Sequence, residues 1–452
     1  MSASITHFRP RVGSFDKAVT AFRAASLQTC LSELNGIESA DAAALRARTF
    51  LRLGDTHAAA LALRGDDAQD FQTRAETALL RAVAHSRLGN ADVAVDGFQA
   101  ARVYAISASD GVLEAEVEFY CGLHAFGDGA IARARASCLL GLEAFTMPTS
   151  LAVAPRVVVA AHVKSKLQEL LGLSDAAQGR YAEQLPHARA ALATLDDCPV
   201  AEVYQTSFAV ANLAILVRDF DLRADSDAIA ARVGALAWTD DISRVKFRTV
   251  EALAWSSALR GDAVGALRWL RLAAGAASTL PEVIAVAVDR AVFARELGHR
   301  AMAAEELEYA LKLSRECRWE ATADDHRETL LCLAQAVSFL SAAHGREVLE
   351  RYANIRTAMS AVVASRLEAR VRAEEAYAHG VVLRADGRLA ASVERLSAAF
   401  AIWDEIGYEW RAGRAAVELA ELNAGEVFRL AVDRELRRRP ESMFSVRARL
   451  VA

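Results

Sequence analysis

A short pattern of small and apolar residues recurs along this chain of 452 residues. It consists of a small residue, a glycine seven positions later, an alanine five further on, a large apolar residue after four more and an alanine after three more. The full pattern is shown by Ala254, Gly261, Ala266, Leu270 and Ala273. Other occurrences are centred on Gly89, Gly298 and Gly387, with weaker ones at Gly54 and Gly172. Such repetition predicts stacked helical hairpins, each in contact only with its neighbours.

Each part of the pattern has a physical role in a hairpin. The glycine tolerates the left-handed conformation that ends a first helix. The following residue, often Asp or Asn, accepts backbone N–H bonds at the start of the second helix. Residues of this kind are Asp55, Asn90, Asp128 and Asp262. The small residues let two helices approach closely, and the large apolar residue fills the gap beside the next hairpin.

We therefore predict an all-α fold, an α-solenoid of about ten antiparallel helical hairpins that form a curved superhelix. Residues 1–40 are expected to form an N-terminal capping helix or hairpin, residues 41–438 the repeat array, and residues 439–452 a basic C-terminal tail. No change of composition interrupts the array, so one continuous solenoid is expected rather than separate domains.

The overall composition argues against several classes of protein. The formal net charge is −5 and the isoelectric point about 6.1, which argues against a general nucleic-acid binder. Six cysteines are scattered without a CxxC motif, as expected in a reducing cytosol. The first residues lack the apolar core of a signal peptide, and no stretch of 18 apolar residues occurs. We expect a cytoplasmic protein that makes no use of a membrane.

The repeat pattern resembles the tetratricopeptide repeat over nearly the whole chain. Residues 399–422, AFAIWDEIGYEWRAGRAAVELAEL, are similar to the helical-repeat arrays of bacterial signalling regulators of the MalT and LuxR type. In those regulators the array accompanies an ATPase module and a helix-turn-helix. This chain has no GxxxxGK[ST] phosphate loop and no convincing helix-turn-helix. The resemblance therefore implies a binding array without those effector modules.

The concave face of such an array is lined by the first helix of each hairpin. Aligning the hairpins by their turn residues gives eight candidate partner-binding residues. They are Asn212, Arg218, Arg248, Glu251, Trp255, Arg295, Tyr377 and Arg384. The same alignment adds Arg48, Arg52, Glu76, Arg87, His162 and Lys166 in the first half of the chain, and Glu374 in the second half. Asn212 is the sharpest candidate, because the resemblance implies an Asn there that holds a peptide backbone, and an amide both donates and accepts. The alternative is that these are ordinary solvated helix faces.

Three other groups of residues receive structural interpretations. Cys121, His124 and Cys138 have a metal-like spacing but lack a fourth ligand, so core packing is favoured over zinc. The acidic run from Asp324 to Glu328 is interpreted as a helix start, where the dipole favours carboxylates. The arginines of the tail are interpreted as a polar cap of the solenoid, with Phe444 and the apolar end folded onto the last hairpin.

The sequence thus favours a non-catalytic protein that binds a protein or peptide through its concave face, as an adaptor or sensor in bacterial regulation. No catalytic motif is recognisable, and no cofactor or metal is expected. The alternative is a ligand- or peptide-responsive transcription regulator, or part of one, related to the LuxR and MalT arrays. Nucleic acid is expected as a partner only through the basic tail. A homo-oligomeric scaffold, such as a homodimer, stays open, as does an enzyme with an unusual site in the groove.

Overall fold

Helices account for nearly all of the regular structure of this protein. The computed structural model describes residues 13–63, 70–145, 159–198, 200, 202–320, 324–357 and 369–451. Within those ranges it contains 23 α-helices, one short 3₁₀ helix at Asp240–Ile242, and no strand. The predicted all-α fold is confirmed.

Consecutive helices pack against each other as antiparallel hairpins. The first four hairpins are α1 (Phe15–Arg23) with α2 (Leu27–Glu33), α3 (Ala40–Leu53) with α4 (Thr56–Ala62), α5 (Phe71–Arg87) with α6 (Ala91–Ser107), and α7 (Gly111–Gly127) with α8 (Ile131–Ala144). Four helices follow, namely α9 (Ala160–Ala177), α10 (Tyr181–Asp196), α11 (Val203–Asp219) and α12 (Arg223–Ala235).

Five further hairpins complete the array. They are α13 (Ser243–Leu259) with α14 (Ala263–Ala276), α15 (Leu280–Glu296) with α16 (Arg300–Glu316), α17 (Asp324–Val337) with α18 (Ala342–Thr357), α19 (Ala369–Ala385) with α20 (Leu389–Glu405), and α21 (Glu409–Glu421) with α22 (Glu426–Arg438). A short last helix, α23, spans Ser445–Arg449. The resemblance to a tetratricopeptide-like helical repeat is confirmed by this succession of hairpins.

The turn glycines have the backbone conformation that the pattern requires. Gly54, Gly89, Gly261, Gly298 and Gly387 all have φ between +74° and +84°, in the left-handed region. An L-residue with a side chain is strained there, whereas glycine is not. The glycines of the repeat therefore end the first helices, as predicted.

The prediction was wrong at Gly172, which lies inside α9 rather than in a turn. The turn occurs instead at Gly179, where φ is +81°. Leu170 and Leu171, directly before Gly172, are both buried. Continuing the helix keeps such apolar side chains packed, and this outweighs the cost of about 1 kcal/mol for one glycine inside a helix.

The small residues of the pattern allow close packing between the helices of one hairpin. A Cβ atom added at Gly380 on α19 would lie 2.7 Å from Cγ of Leu396 on α20. Leu396 is the large apolar residue of the same repeat and is fully buried. The small residue and the large one therefore fit together, which is the role that the sequence predicted for them.

Two of the four predicted helix caps are present. Asp55 accepts a hydrogen bond from the backbone N–H of Ala58, and Asp262 accepts one from Gly265. Asn90 makes no cap bond, although it lies at the cap position of α6. Asp128 was placed wrongly, because α7 extends to Gly127 and α8 begins only at Ile131.

The chain folds into two compact units. Unit 1 takes the described residues within Met1–Asp175, Pro186–Ala209 and Ala237–Ile242, and unit 2 takes those within Ala176–Leu185, Val210–Leu236 and Ser243–Ala452. Each unit has its own apolar core, built around Leu79 and Leu80 in unit 1 and around Phe293 and Leu333 in unit 2. None of the described helices is both long and apolar enough to cross a bilayer.

Candidate functional site

The first helices of unit 2 surround a polar cavity of about 980 Å³, counted with its opening to solvent. Its wall is formed by α11 and by α13, α15, α17, α19 and α21, each of which is the first helix of a hairpin. We call it the central cavity. Its cationic lining residues are Arg218, Arg248, Arg370, Arg411 and Arg414. Its acidic lining residues are Glu251, Glu282, Asp289, Glu328 and Glu374.

Part of this charge is neutralised within the wall. Arg218 donates from Nε to Oδ1 of the buried Asp219 at 2.8 Å. Arg370 lies 3.7 Å and Arg411 3.8 Å from the carboxylate of Asp219. Arg411 also pairs with Glu374. Because these guanidiniums are held by carboxylates, they define the shape of the cavity wall.

Glu328 is the carboxylate most strongly affected by the arginines. Burial alone would raise its pKa, but the nearby arginines, led by Arg370 and Arg218, lower the pKa to about 2. Glu328 is therefore ionised at neutral pH. The predicted helix start is confirmed, since α17 begins at Asp324, but Glu328 also faces the cavity.

Several polar atoms of the wall have no hydrogen-bond partner among the described residues, and an acceptor and a donor are among them. The acceptor is Oδ2 of Asp289, a residue only 6% exposed, and the donor is the indole Nε1 of Trp410, which is 3% exposed. Burial, together with the charge of Glu251, raises the pKa of Asp289 well above its usual value. Buried polar groups without partners are rare in folded proteins, so a donor and an acceptor of this kind suit contacts with a ligand.

Arg248 and Arg414 differ from the other arginines of the wall. Within the described ranges, neither guanidinium lies within ion-pair distance of a carboxylate. Arg414 is surrounded by aromatic rings, at 5.5 Å from the ring centre of Tyr377 and 5.9 Å from that of Trp255. Guanidinium groups next to aromatic faces are typical anchors in protein interfaces.

Six of the eight predicted partner-binding residues line cavities of unit 2. Arg218, Arg248, Glu251 and Trp255 line the central cavity. Trp255 also lines a neighbouring cavity of about 470 Å³, together with Arg295 and Tyr377.

The two remaining candidates lie outside these cavities. Asn212, on α11, is half-buried and is not among the lining residues. Arg384 pairs with Glu418, and its Nη2 lies 2.6 Å from Oε2 of Glu421.

Four of the six candidates in the first half of the chain are paired within unit 1. Arg48 donates to both oxygens of Glu116 at 2.7 and 2.8 Å and to Glu76 at 2.9 Å. Arg52 pairs with Glu202, whose other oxygen lies 2.6 Å from Nδ1 of His162. Because these buried charges satisfy one another, they contribute to the packing of unit 1 rather than to an open binding face.

Sequence reasoning missed several residues of the central cavity. Asp289 lies in the apolar run VIAVAVDRAVFA, where a single carboxylate among apolar neighbours was a usable signal. Trp410 and Arg414 lie four residues apart, so they share one face of α21. Glu251 and Trp255 on α13 have the same spacing. Applying that spacing to α21 would have identified Trp410 and Arg414.

The chemistry of these groups favours binding. Cys332 lines the central cavity, and burial raises the pKa of its thiol to about 12, so it is not a thiolate nucleophile at neutral pH. Across the described part of the chain, no three His, Cys, Asp or Glu side chains are grouped to hold a metal ion. In the segment suspected of metal binding, Nδ1 of His124 lies 2.8 Å from Oγ of Ser86.

No protein-family model matches the chain, and no curated protein matches it. Among solved structures, it is similar to the Rap conjugation gene regulator of plasmid pLS20 in complex with the Phr* peptide, at 13% identity and a TM-score of 0.44, covering 82% of this chain and 98% of that one. It is also similar to apo RapI, at 11% identity and a TM-score of 0.37, with 96% of each chain covered. The APC/C hetero-tetramer Cut9–Hcn1 gives 12% identity and a TM-score of 0.32, with 95% of each chain covered. Because these identities and TM-scores are low, the fold assignment rests on the described helices and not on the similar structures.

Proposed function

We propose that this protein is a non-catalytic binding protein that recognises a protein or peptide segment through the first-helix face of unit 2. The observation that carries the proposal is the gathering of five arginines, five acidic residues and two tryptophans from six helices around one cavity. Extended peptides carry charged termini, polar main-chain groups and side chains of both signs. A wall with donors, acceptors and aromatic surfaces matches all of these.

The arginines without an ion-pair partner and the tryptophans of the wall identify where contact is expected. Arg248 and Arg414 can each donate two parallel hydrogen bonds to a carboxylate. Trp255 and Trp410 provide the aromatic surfaces that most often dominate the free energy of an interface. The role that we assign to the protein is that of an adaptor or sensor in bacterial regulation, with Asn212 and Arg384 as peripheral contacts of the same face.

The C-terminal arginines support partner binding over nucleic-acid binding. Arg439 donates from Nε to Asp221 at 2.5 Å, and Arg438 pairs with Glu409. Arg447 is held by Glu418 and Glu421. Guanidiniums that are paired with carboxylates are less available to phosphates, which weighs against nucleic-acid binding through these three arginines.

The test is an affinity capture from native lysate, read by quantitative mass spectrometry. We expect a specific partner to bind the wild type and its affinity to be reduced about 30-fold or more by Arg248→Ala combined with Arg414→Ala, since anchors of this type contribute about 1–2 kcal/mol each. The matched control is Arg271→Ala, an exposed arginine on α14, the second helix of the same hairpin as Arg248. It should capture the partner as the wild type does. Equal capture by all three proteins, with unchanged circular dichroism, would place binding on another surface.

A further inference from the structure

The C-terminal segment lies on the face that we assign to the partner. After α22 ends at Arg438, residues 440–450 run to α13, the first helix of a hairpin four positions earlier in the array. The backbone N–H of Met443 donates to the carbonyl oxygen of Ala258 on α13 at 3.1 Å. The tail was expected to fold onto the last hairpin. That holds for Val451, which packs against the apolar cluster of α21 and α22, but only in part for Phe444, which contacts α13 as well as Arg414 on α21.

Phe444 occupies the aromatic anchor of the face. Its ring stacks on Trp255, with the ring centres 5.6 Å apart and the planes inclined by only 9°. Arg414 lies 5.8 Å from the ring of Phe444, so the same guanidinium faces both aromatic residues. The correction has a physical reason, because a large aromatic ring is stabilised most where another flat ring and a cation surround it.

Arg447 occupies an acidic site on α21. It donates from Nε and Nη2 to the two oxygens of Glu421, both at 2.7 Å, and from Nη1 to Glu418 at 2.6 Å. Burial alone would raise the pKa of Glu418, but Arg447 holds it below its usual value. Two carboxylates that share one guanidinium in this way form a recognition site for arginine, and Arg384 on α19 pairs with the same two carboxylates.

The main chain of the segment also fits closely at one point. A Cβ atom added at Gly261, in the turn between α13 and α14, would lie 2.0 Å from the carbonyl oxygen of Glu441. The turn glycine at Gly298 has the same left-handed backbone but faces open space. Gly261 is therefore required both by its own φ and by the passage of the tail.

The tail does not fill the space beneath it. A cavity of about 570 Å³, counted with its opening to solvent, lies between tail residues such as Phe444 and Ser445 and array residues such as Arg295, Tyr377 and Trp410. A permanent cap of a solenoid covers the apolar face of the last repeat and packs at interior density. This segment also reaches distant first helices, through the stacking of Phe444 on Trp255, the main-chain bond from Met443 and the ion pairs of Arg447, with a cavity beside it.

We propose that residues 441–447 are an intramolecular occupant of the partner-binding face, and that the external partner is a peptide segment of the same chemistry. That segment carries an aromatic side chain for Trp255 and, three residues later, an arginine for Glu418 and Glu421. The inference rests on the proposed function, because it names the partner of the same face. The apparent affinity for the partner is then the affinity of the open face multiplied by the fraction of molecules in which the face is open.

The probe for this inference is a fluorescein-labelled peptide of residues 440–452, PESMFSVRARLVA, titrated with the full-length protein and followed by fluorescence anisotropy. The protein variant Phe444→Ala combined with Arg447→Ala opens the face. We expect it to bind the peptide at least ten-fold more tightly than the wild type does. A peptide with alanine in place of both the Phe and the first Arg should not bind.

Two matched controls separate release of the tail from general damage. Arg449→Ala changes another tail arginine, whose guanidinium donates to the carbonyl oxygen of Pro440, and should leave the affinity at the wild-type value. Gly261→Ala and Gly298→Ala have the same backbone strain, but only the first displaces Glu441. Only Gly261→Ala should therefore raise the affinity. It also serves as the second opening variant if the double variant loses its helical circular dichroism.

The outcomes distinguish this inference from the proposed function. Absence of peptide binding to a folded opened variant overturns the inference, while the proposed function stands if the captured partner still depends on Arg248 and Arg414. Equal affinity of the wild type and the opened variants for the peptide would show that the tail does not compete with it. That result also overturns the inference. A concentration-dependent dimer that the double variant abolishes would place the tail on a second copy of the chain, which contradicts an intramolecular occupant.

Discussion

Asp289 is a carboxyl group that the fold buries beside other charges without giving both of its oxygens a partner. Burial is the main reason why its pKa is raised well above the usual value, and the charge of Glu251 adds to the effect. The indole of Trp255 and the guanidinium of Arg218 act in the opposite direction. A protonated Asp289 would donate a hydrogen bond into the central cavity, whereas an ionised one would attract a cationic group of a ligand.

This elevated pKa makes the stability of the protein depend on pH in a defined direction. Above about pH 4, where a carboxyl in the unfolded chain ionises, the folded state holds one proton more than the unfolded state. The free energy of unfolding therefore falls as the pH rises through the pKa of folded Asp289. The loss amounts to about 1.4 kcal/mol for each unit by which the two pKa values differ.

Asp289→Asn should remove that part of the pH dependence. Urea unfolding at pH 5 and pH 8 measures it, and the variant is expected to lose less stability than the wild type between the two values. Asp96→Asn, on the exposed face of α6, controls for the removal of one charge. A wild-type pH dependence in Asp289→Asn would show that Asp289 is ionised in the folded protein at both values.

At the scale of the single hairpin, the packing of small against large residues determines how close two helices lie. The Cβ atom of an alanine at position 380 would meet Cγ of Leu396 at 2.7 Å and its backbone nitrogen at 3.2 Å. Leu396 is fully buried, so rotating its side chain away would press it against other packed atoms, and the contact with its backbone nitrogen would remain. Gly380 is thus a spacing device of the hairpin formed by α19 and α20.

Gly380→Ala is therefore expected to destabilise the protein by about 1–3 kcal/mol, the usual cost of overpacking, although alanine is the better helix former. Gly275→Ala is the matched control, since Gly275 lies in the last turn of α14 and its Cβ would meet nothing within 4 Å. That variant should gain about 0.5–1 kcal/mol. Thermal or urea unfolding of both proteins gives the comparison, and a gain in both would show that α19 and α20 tolerate the extra methyl group.

The hairpins were predictable from the sequence because each one depends on local chemistry. A glycine with positive φ and a small residue facing a large one leave a direct pattern in the chain. The prediction was wrong at Gly172 because a glycine that lies inside a helix looks the same in the sequence as one that ends it. Turns that use Ser109, Asp221 or Asn423 in the left-handed region were not marked by glycine at all.

The candidate site was only partly predictable because it depends on contacts between distant hairpins. Arg248, Glu251 and Trp255 follow from the helical period of α13 alone. The stacking of Phe444 on Trp255 joins residues 189 positions apart in the sequence. No periodicity specifies such a pair. The same applies to the acidic site for Arg447, since the pairing of three charges on two separate segments is decided by tertiary packing.

At the scale of the whole molecule, the six cysteines are distributed over both compact units, so their reactivity follows the unfolding of each unit. All six are free thiols, with Cys30, Cys121 and Cys138 in unit 1 and Cys332 in unit 2 among them. Burial raises the pKa of five of the six thiols, and for the thiols of residues 121, 138 and 332 it raises the pKa to about 12. The thiolate is the reactive form, so at pH 8 a thiol with such a pKa is ionised in roughly one molecule in 10,000.

The folded protein should therefore react slowly with an aromatic disulfide reagent at pH 8. Unfolding in guanidinium chloride should expose all six thiols, which then release six equivalents of the reagent's thiolate at once. Because the shielded thiols lie in both units, the number that become reactive at intermediate denaturant shows whether the units unfold together. A single step with all the shielded thiols would indicate one cooperative transition. Two steps would indicate independent units, and the labelled cysteines, identified by mass spectrometry, would show which unit opens first. Fast labelling of the native protein at Cys121, Cys138 and Cys332 would contradict the burial on which the expectation rests.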